Sequence, residues 1–153
     1  MKIEERFVVA APISTVWTFI RDPEKIGPCV PGCTGIEMID DRNYRAKVTV
    51  ALGPIKPTFG LELQLTEERP PHFASVVSRG EEGGNASRFS ATSTLLLTSA
   101  ENNSTQVHYT SEVSVVGRLA TYGLGLMKKK AKTLGEEFAL NIRKALEADK
   151  GAA

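Results

Sequence analysis

The side chains best equipped for chemistry in this sequence are His72 and His108, Cys29 and Cys33, the pair Glu81-Glu82, and the hydroxyls of Ser93, Tyr109 and Ser111. His72 follows Pro70-Pro71 in a turn. His108 alternates onto the polar side of its strand with Thr110 and Glu112. Neither has an in-phase carboxylate or nucleophile that would make an acid–base dyad. Glu81 and Glu82 fall in the glycine stretch Gly80–Gly84 and read as solvated. That stretch lacks the G-K-[ST] ending and the following helix of a phosphate loop. Cys29 and Cys33 flank Pro31-Gly32 with no histidine nearby to complete a zinc set, so free, largely buried thiols are expected. No catalytic residue and no metal ligand set is expected. The three hydroxyls remain. Ser93, Tyr109 and Ser111 alternate onto apolar strand faces, where a few polar groups can orient an otherwise apolar ligand.

Those hydroxyls need a sheet behind them. The first ten residues read as a strand, carried by Ile3 and Arg6-Phe7-Val8-Val9, and Ala11-Pro12 opens a helix that carries Val16, Trp17, Phe19 and Ile20 and stops at Asp22-Pro23. A short second helix fits 23–27, and GPCVPGCTG reads as a rigid corner outside either regular element. From there to Val116 the period is two. Tyr44, Ala46, Val48, Val50 and Leu52 alternate with polar residues, as do Phe59, Leu61, Leu63 and Leu65. His72–Arg79 is a weaker strand, and Gly80–Gly84 a loop. Ala86–Ser99 and Thr105–Val116 are joined by Asn102-Asn103. Short turns between successive strands predict an antiparallel meander. After Gly117 the period becomes 3.6, with Leu124, Met127, Ala131, Leu134, Phe138, Ile142 and Ala145 on one face of a helix of about eight turns. Leu119, Ala120 and Gly123 extend the stripe backwards.

The expected order is β-α-α-β6-α, an α+β fold with a seven-stranded antiparallel sheet and a long C-terminal helix lying on it. One domain is expected over residues 1–148, with a frayed tail at 149–153. The chain has 153 residues, too few for a second independent core. Its 41% hydrophobic and 24% charged residues argue against disorder. A net charge of +1 supplies no global field for nucleic acid. The opening MKIEERFVVA does not read as a signal peptide, so a cytoplasmic domain is expected. The near-neutral total hides an asymmetry: residues 117–153 carry net +4 and residues 1–116 net −3. Lys128, Lys129 and Lys132, with Lys130, would form either a solvated helix face or a docking face for anionic lipid or an acidic partner.

The inward strand positions mix bulk (Phe59, Leu61, Leu63, Phe89, Leu95, Tyr109, Val113) with small residues (Ala91, Ser93, Ser111). A filled core would use bulk throughout, because voids are costly. Small inward residues imply space for a ligand or close approach of the helix. Trp17 belongs at the helix–sheet contact or on the end wall of such a cavity. Leu119, Gly123, Met127 and Leu134 would face it from the helix. Gly117, Gly123 and Gly125 in the first helical turns suggest close packing or a loosened helix start that gates the cavity.

Several local motifs resemble the carbon monoxide dehydrogenase G-subunit (CoxG) family, of the SRPBCC or START-like superfamily. They are Ala11-Pro12…Val16-Trp17, Asp22-Pro23-Glu24, Val30-Pro31-Gly32-Cys33 and Leu52-Gly53-Pro54-Ile55-Lys56…Phe59-Gly60. Gly80…Gly83-Gly84-Asn85-Ala86 and Val115-Val116-Gly117-Arg118-Leu119-Ala120…Gly123 follow in the family's order, so the resemblance spans about residues 2–146. It implies a helix-grip fold whose curved sheet holds the long helix, and a ligand-carrying accessory protein rather than an enzyme. It also implies a bound quinone or lipid with no covalent cofactor, and association with a molybdenum hydroxylase of the carbon monoxide dehydrogenase type. Peripheral contact with the inner face of the membrane belongs to the same picture. The alternatives are a cyclase or dehydratase on the same superfold, or a recruitment module with a filled core.

Overall fold

The computed structural model describes residues 1–152, with side chains for all of them except Asn85 and 149–152. The frayed tail expected at 149–153 therefore falls outside the described side chains. The chain runs through β1 (Lys2–Val9), α1 (Ile13–Arg21), α2 (Pro23–Ile26) and a 3₁₀ turn over Gly27–Cys29. Six strands follow: β2 (Cys33–Met38), β3 (Asn43–Thr49), β4 (Thr58–Arg69), β5 (Phe73–Glu82), β6 (Ser87–Ala100) and β7 (Ser104–Gly117). A 3₁₀ segment, Arg118–Tyr122, leads into α3 (Leu124–Ala152). The sheet has seven strands in the order β1-β7-β6-β5-β4-β3-β2, every pair antiparallel. This is the sheet and terminal helix that alternation and the final 3.6 period predict, in the helix-grip arrangement that the resemblance implies.

Local chemistry sets the element ends. Pro23 forces Asp22 into an extended conformation, which ends α1. The Asp22 carboxylate then accepts from the Glu24 backbone N–H at 3.0 Å and caps α2. Two expectations about boundaries are corrected. The corner ends earlier than its composition suggests, because Cys33 already pairs with Val48 across a bulge at the sheet edge. Gly80–Glu82 are not loop: they stay in β5, with Gly80 between Leu61 and Phe89.

The long helix also starts later than the apolar stripe suggests. Gly117 has φ 95° and ends β7, and a Cβ there would lie 2.4 Å from the Ala86 carbonyl oxygen. Only glycine meets both demands. The stripe residues Leu119 and Ala120 thus sit in the 3₁₀ segment, and Gly123, at φ 92°, turns the chain into α3. Close helix–strand approach occurs instead at Gly135. There a Cβ would meet Glu5 Oε1 at 3.0 Å and Ile3 at 3.4 Å, so glycine lets α3 lie directly on β1.

The filled core occupies one end of the sheet. Val9, Val16, Phe19, Cys29, Leu97, Val107, Ile142 and Leu146 are buried together, with Trp17 packed against them. A smaller apolar cluster, Leu52, Phe59 and Leu119, closes the other end with Phe89 and Tyr122 around it. Between the two clusters α3 touches the sheet along β1 and stands clear of the middle strands.

Candidate functional site: an apolar cavity between the sheet and the long helix

Register explains the gap. One row across the concave face reads Ile3, Ser111, Ser93, Val76, Leu65, and the next reads Val113, Ala91, Ser78, Leu63, Tyr44. Ser111, Ser93, Ala91 and Ser78 are therefore neighbours on three adjacent strands. The rows on either side carry Tyr109 and Leu95, or Val115, Phe89 and Leu61. Bulky walls around a patch of small residues leave a cavity of about 510 Å³, roofed by Met127, Ala131, Leu134 and Phe138 of α3. That volume is ordinary for a site that takes a small organic ligand.

The polar groups on the wall are few. Ser93 Oγ lies 2.9 Å from Ser111 Oγ and 3.3 Å from the Tyr109 hydroxyl. Three hydroxyls bring three donors, and the two bonds among them use two. One O–H is left for a ligand. At one margin Arg21 Nε sits 2.5 Å from Glu68 Oε2, and Arg21 Nη1 donates to the Tyr44 hydroxyl at 2.6 Å. This pair ties α1 to β3 and β4 and neutralises the guanidinium. Lys130 of α3 also lines the cavity and is half-buried. Both side chains come from helices, α1 and α3; the strand residues on the wall are uncharged among the described residues.

The segment after β7 is fastened rather than loose. Arg118 N donates to the Ala86 carbonyl at 2.7 Å, and Leu119 N to Ser87 Oγ at 3.0 Å. The Arg118 guanidinium bonds the Glu82 carboxylate, which is 6% exposed. Glu82, read as solvated from its glycine neighbours, is buried because β5 continues through it. Fastening at 118–119 argues against a gate that begins at Gly117. A second depression, of about 730 Å³, opens outside this segment between Lys47, Lys56, Arg118, Glu81 and Glu82. Its mixed charges and open shape do not exclude water.

The cavity brings together Phe59, Leu61, Leu63, Phe89, Ala91, Ser93, Leu95, Tyr109, Ser111, Val113, Leu119, Met127 and Leu134. Two expected residues are elsewhere. Trp17 packs into the filled core, because α1 lies against the far ends of β6 and β7. Gly123 is an exposed turn residue. Lys128, Lys129 and Lys132 are exposed on α3. Sequence reasoning missed Ser78 and Lys130. Alternation of Ala74, Val76 and Ser78 was the signal for the first. For the second it was helical phase, since Lys130 is one turn before Leu134.

The potential acid–base groups stand apart from the cavity. His108 does have a carboxylate partner, contrary to expectation: its Nε2 is 2.6 Å from Glu4 Oε2 across the β1–β7 ladder. This hydrogen bond, with Lys2 nearby, lowers the Glu4 pKa. The pair lies on the convex face, and His72 is exposed in its turn. Burial raises the pKa of Cys29, which is free like Cys33. No Asp, Glu, His or Cys stands on the cavity wall among the described residues.

A curved antiparallel sheet gripping a C-terminal helix around an apolar cavity defines a START-like, helix-grip protein. Solved structures share this fold. A conserved protein from Geobacillus kaustophilus is 24% identical, with a TM-score of 0.88 over 97% of this chain and 96% of that one. A START superfamily protein from Mycobacterium smegmatis is 14% identical, with a TM-score of 0.74 over 96% and 97%. No curated protein matches the chain. Residues 6–147 match the carbon monoxide dehydrogenase G-subunit (CoxG) family, and the chain belongs to it.

Proposed function

We propose that this protein is a non-catalytic, hydrophobic-ligand-binding accessory protein that serves a molybdenum hydroxylase of the carbon monoxide dehydrogenase type. Its ligand is quinone-like or lipid-like. The observation that carries this reading is the cavity wall: apolar over most of its area, with one spare hydroxyl donor at Ser93, Tyr109 and Ser111. Burial of about 300 Å² of apolar ligand surface would contribute about 7 kcal/mol before the costs of association. The wall's chemistry supports carriage over catalysis, since no acid, histidine or thiol faces the space among the described residues. Contact with an anionic membrane surface or an acidic partner falls to Lys128, Lys129 and Lys132, which leave the roof helix on its exposed side. The family membership supports the dehydrogenase as the partner served.

The test is to fill the space. Ala91 lies at its floor between Ser78 and Val113, so Ala91→Leu places three more carbons inside it. The wild type should bind a neutral fluorescent naphthylamine and release it to a short-chain quinone. Ala91→Leu should lose that binding at least tenfold while its melting temperature stays level or rises, as filling an apolar void predicts. Equal binding by both proteins would overturn the reading.

A further inference from the structure

Lys130 is the one cation on the cavity wall that forms no ion pair among the described residues; Arg21 is held by Glu68 and the Met1 ammonium by Glu112. Its position on α3 can be fixed by phase. Lys130 and Asn141 are eleven residues apart, three turns, and so share one flank of the helix. Asn141 Nδ2 donates to the Cys29 carbonyl at 3.0 Å, which identifies that flank as the one facing the corner after α2. The opposite flank, marked by Gly135, lies on β1. Val30 and Pro31 of the corner and Ile36 of β2 also line the cavity. Lys130 therefore looks across the cleft between the N-terminal half of α3 and this corner, three turns from the bond that ties them.

Lys130 is half-buried as a residue and lines an apolar wall, so an anion that arrives with an apolar body can meet the ammonium and the wall together. We infer that Lys130 receives the head group of the ligand, and that the preferred ligand is an amphiphile with an anionic head, carboxylate or phosphate, and an apolar chain. This rests on the cavity reading above and narrows it to the class of acidic lipids. The chain would lie over the Ser78–Ala91–Ser93–Ser111 patch, with the head at the cleft.

The experiment compares palmitate, hexadecyl phosphate and hexadecanol as competitors for the neutral naphthylamine probe. In the wild type at least one anionic amphiphile should bind about tenfold or more tightly than hexadecanol, the scale of a hydrogen bond to a charged group. Which of the two binds tighter tells carboxylate from phosphate. Lys130→Met should abolish the preference and leave hexadecanol affinity unchanged, and Lys130→Arg should keep it. Equal affinity for all three, or a preference that persists in Lys130→Met, would overturn the head-group assignment alone. Absence of binding by the probe and by all three amphiphiles would overturn the cavity reading and this inference with it.

Discussion

Tyr109 on β7 and Phe138 on α3 meet edge to face, with ring centroids 6.0 Å apart and planes at 65°. This contact is the partition between filled core and cavity. Below it Phe138 packs against the cluster of Leu97, Val107 and Ile142. Above it the Tyr109 hydroxyl joins Ser93 on the cavity wall.

Phe138→Ala should remove both sides of the partition and cost about 3 kcal/mol, as large-to-small core changes do. Tyr109→Phe keeps the ring and deletes only a hydroxyl, so its cost should stay below about 1.5 kcal/mol. Denaturant titration of both variants measures the difference. Comparable losses would mean that hydrogen bonding, not ring contact, holds the partition.

The Glu82–Arg118 pair joins the last residue of β5 to the first residue after β7. Arg118 is exposed on one side, but Glu82 is buried, and its Oε2 has no hydrogen-bond partner among the described residues. Arg118→Met should therefore strand a buried carboxylate and destabilise by about 3 kcal/mol. The double variant Glu82→Gln/Arg118→Met should recover most of that. If the double variant is no more stable than Arg118→Met, the pair contributes through packing alone.

Glu5 faces α3 beside Gly135, and its pKa is raised, first by burial and then by Glu136, with Lys132 opposing. The folded protein thus holds this proton more tightly than the unfolded chain. Its contribution is fully present below the ordinary carboxylate value of 4.5 and is lost as pH rises through the raised folded value. Glu5→Gln should accordingly melt higher than the wild type at pH 7, with the gap closing towards pH 4. A gap that is constant with pH would assign the effect to something other than this titration.

Alternation makes the strand faces legible. Ser93, Tyr109 and Ser111 belong to β6 and β7, two long clean strands, so their shared face can be read directly. Ser78 cannot be placed beside Ala91 without the β5–β6 register, and β5 itself reads short because Gly80 resembles a loop residue. Glycine enters that strand because Leu61 covers it: a Cβ on Gly80 would lie 2.3 Å from Leu61 Cδ2. Glu82 is hidden for a related reason, since its partner Arg118 is thirty-six residues away. Lys130 sits in a run of lysines whose charge masks its helical phase. Trp17 is ambiguous because α1 is amphipathic towards the sheet wherever along the sheet it docks.

The ladder between β1 and β7 pairs Lys2 with Glu112 and Val9 with Thr105, so the first strand made is completed by the last. Loop closure over such a span is slow relative to local pairing. On the ribosome, β2 through β6 can pair in order as they emerge, while β1 waits. The roof of the cavity comes later still, because α3 lies on β1 and follows β7 in the chain. No molecule can be enclosed there until α3 has formed and docked, so the cavity is the last feature of the fold to close.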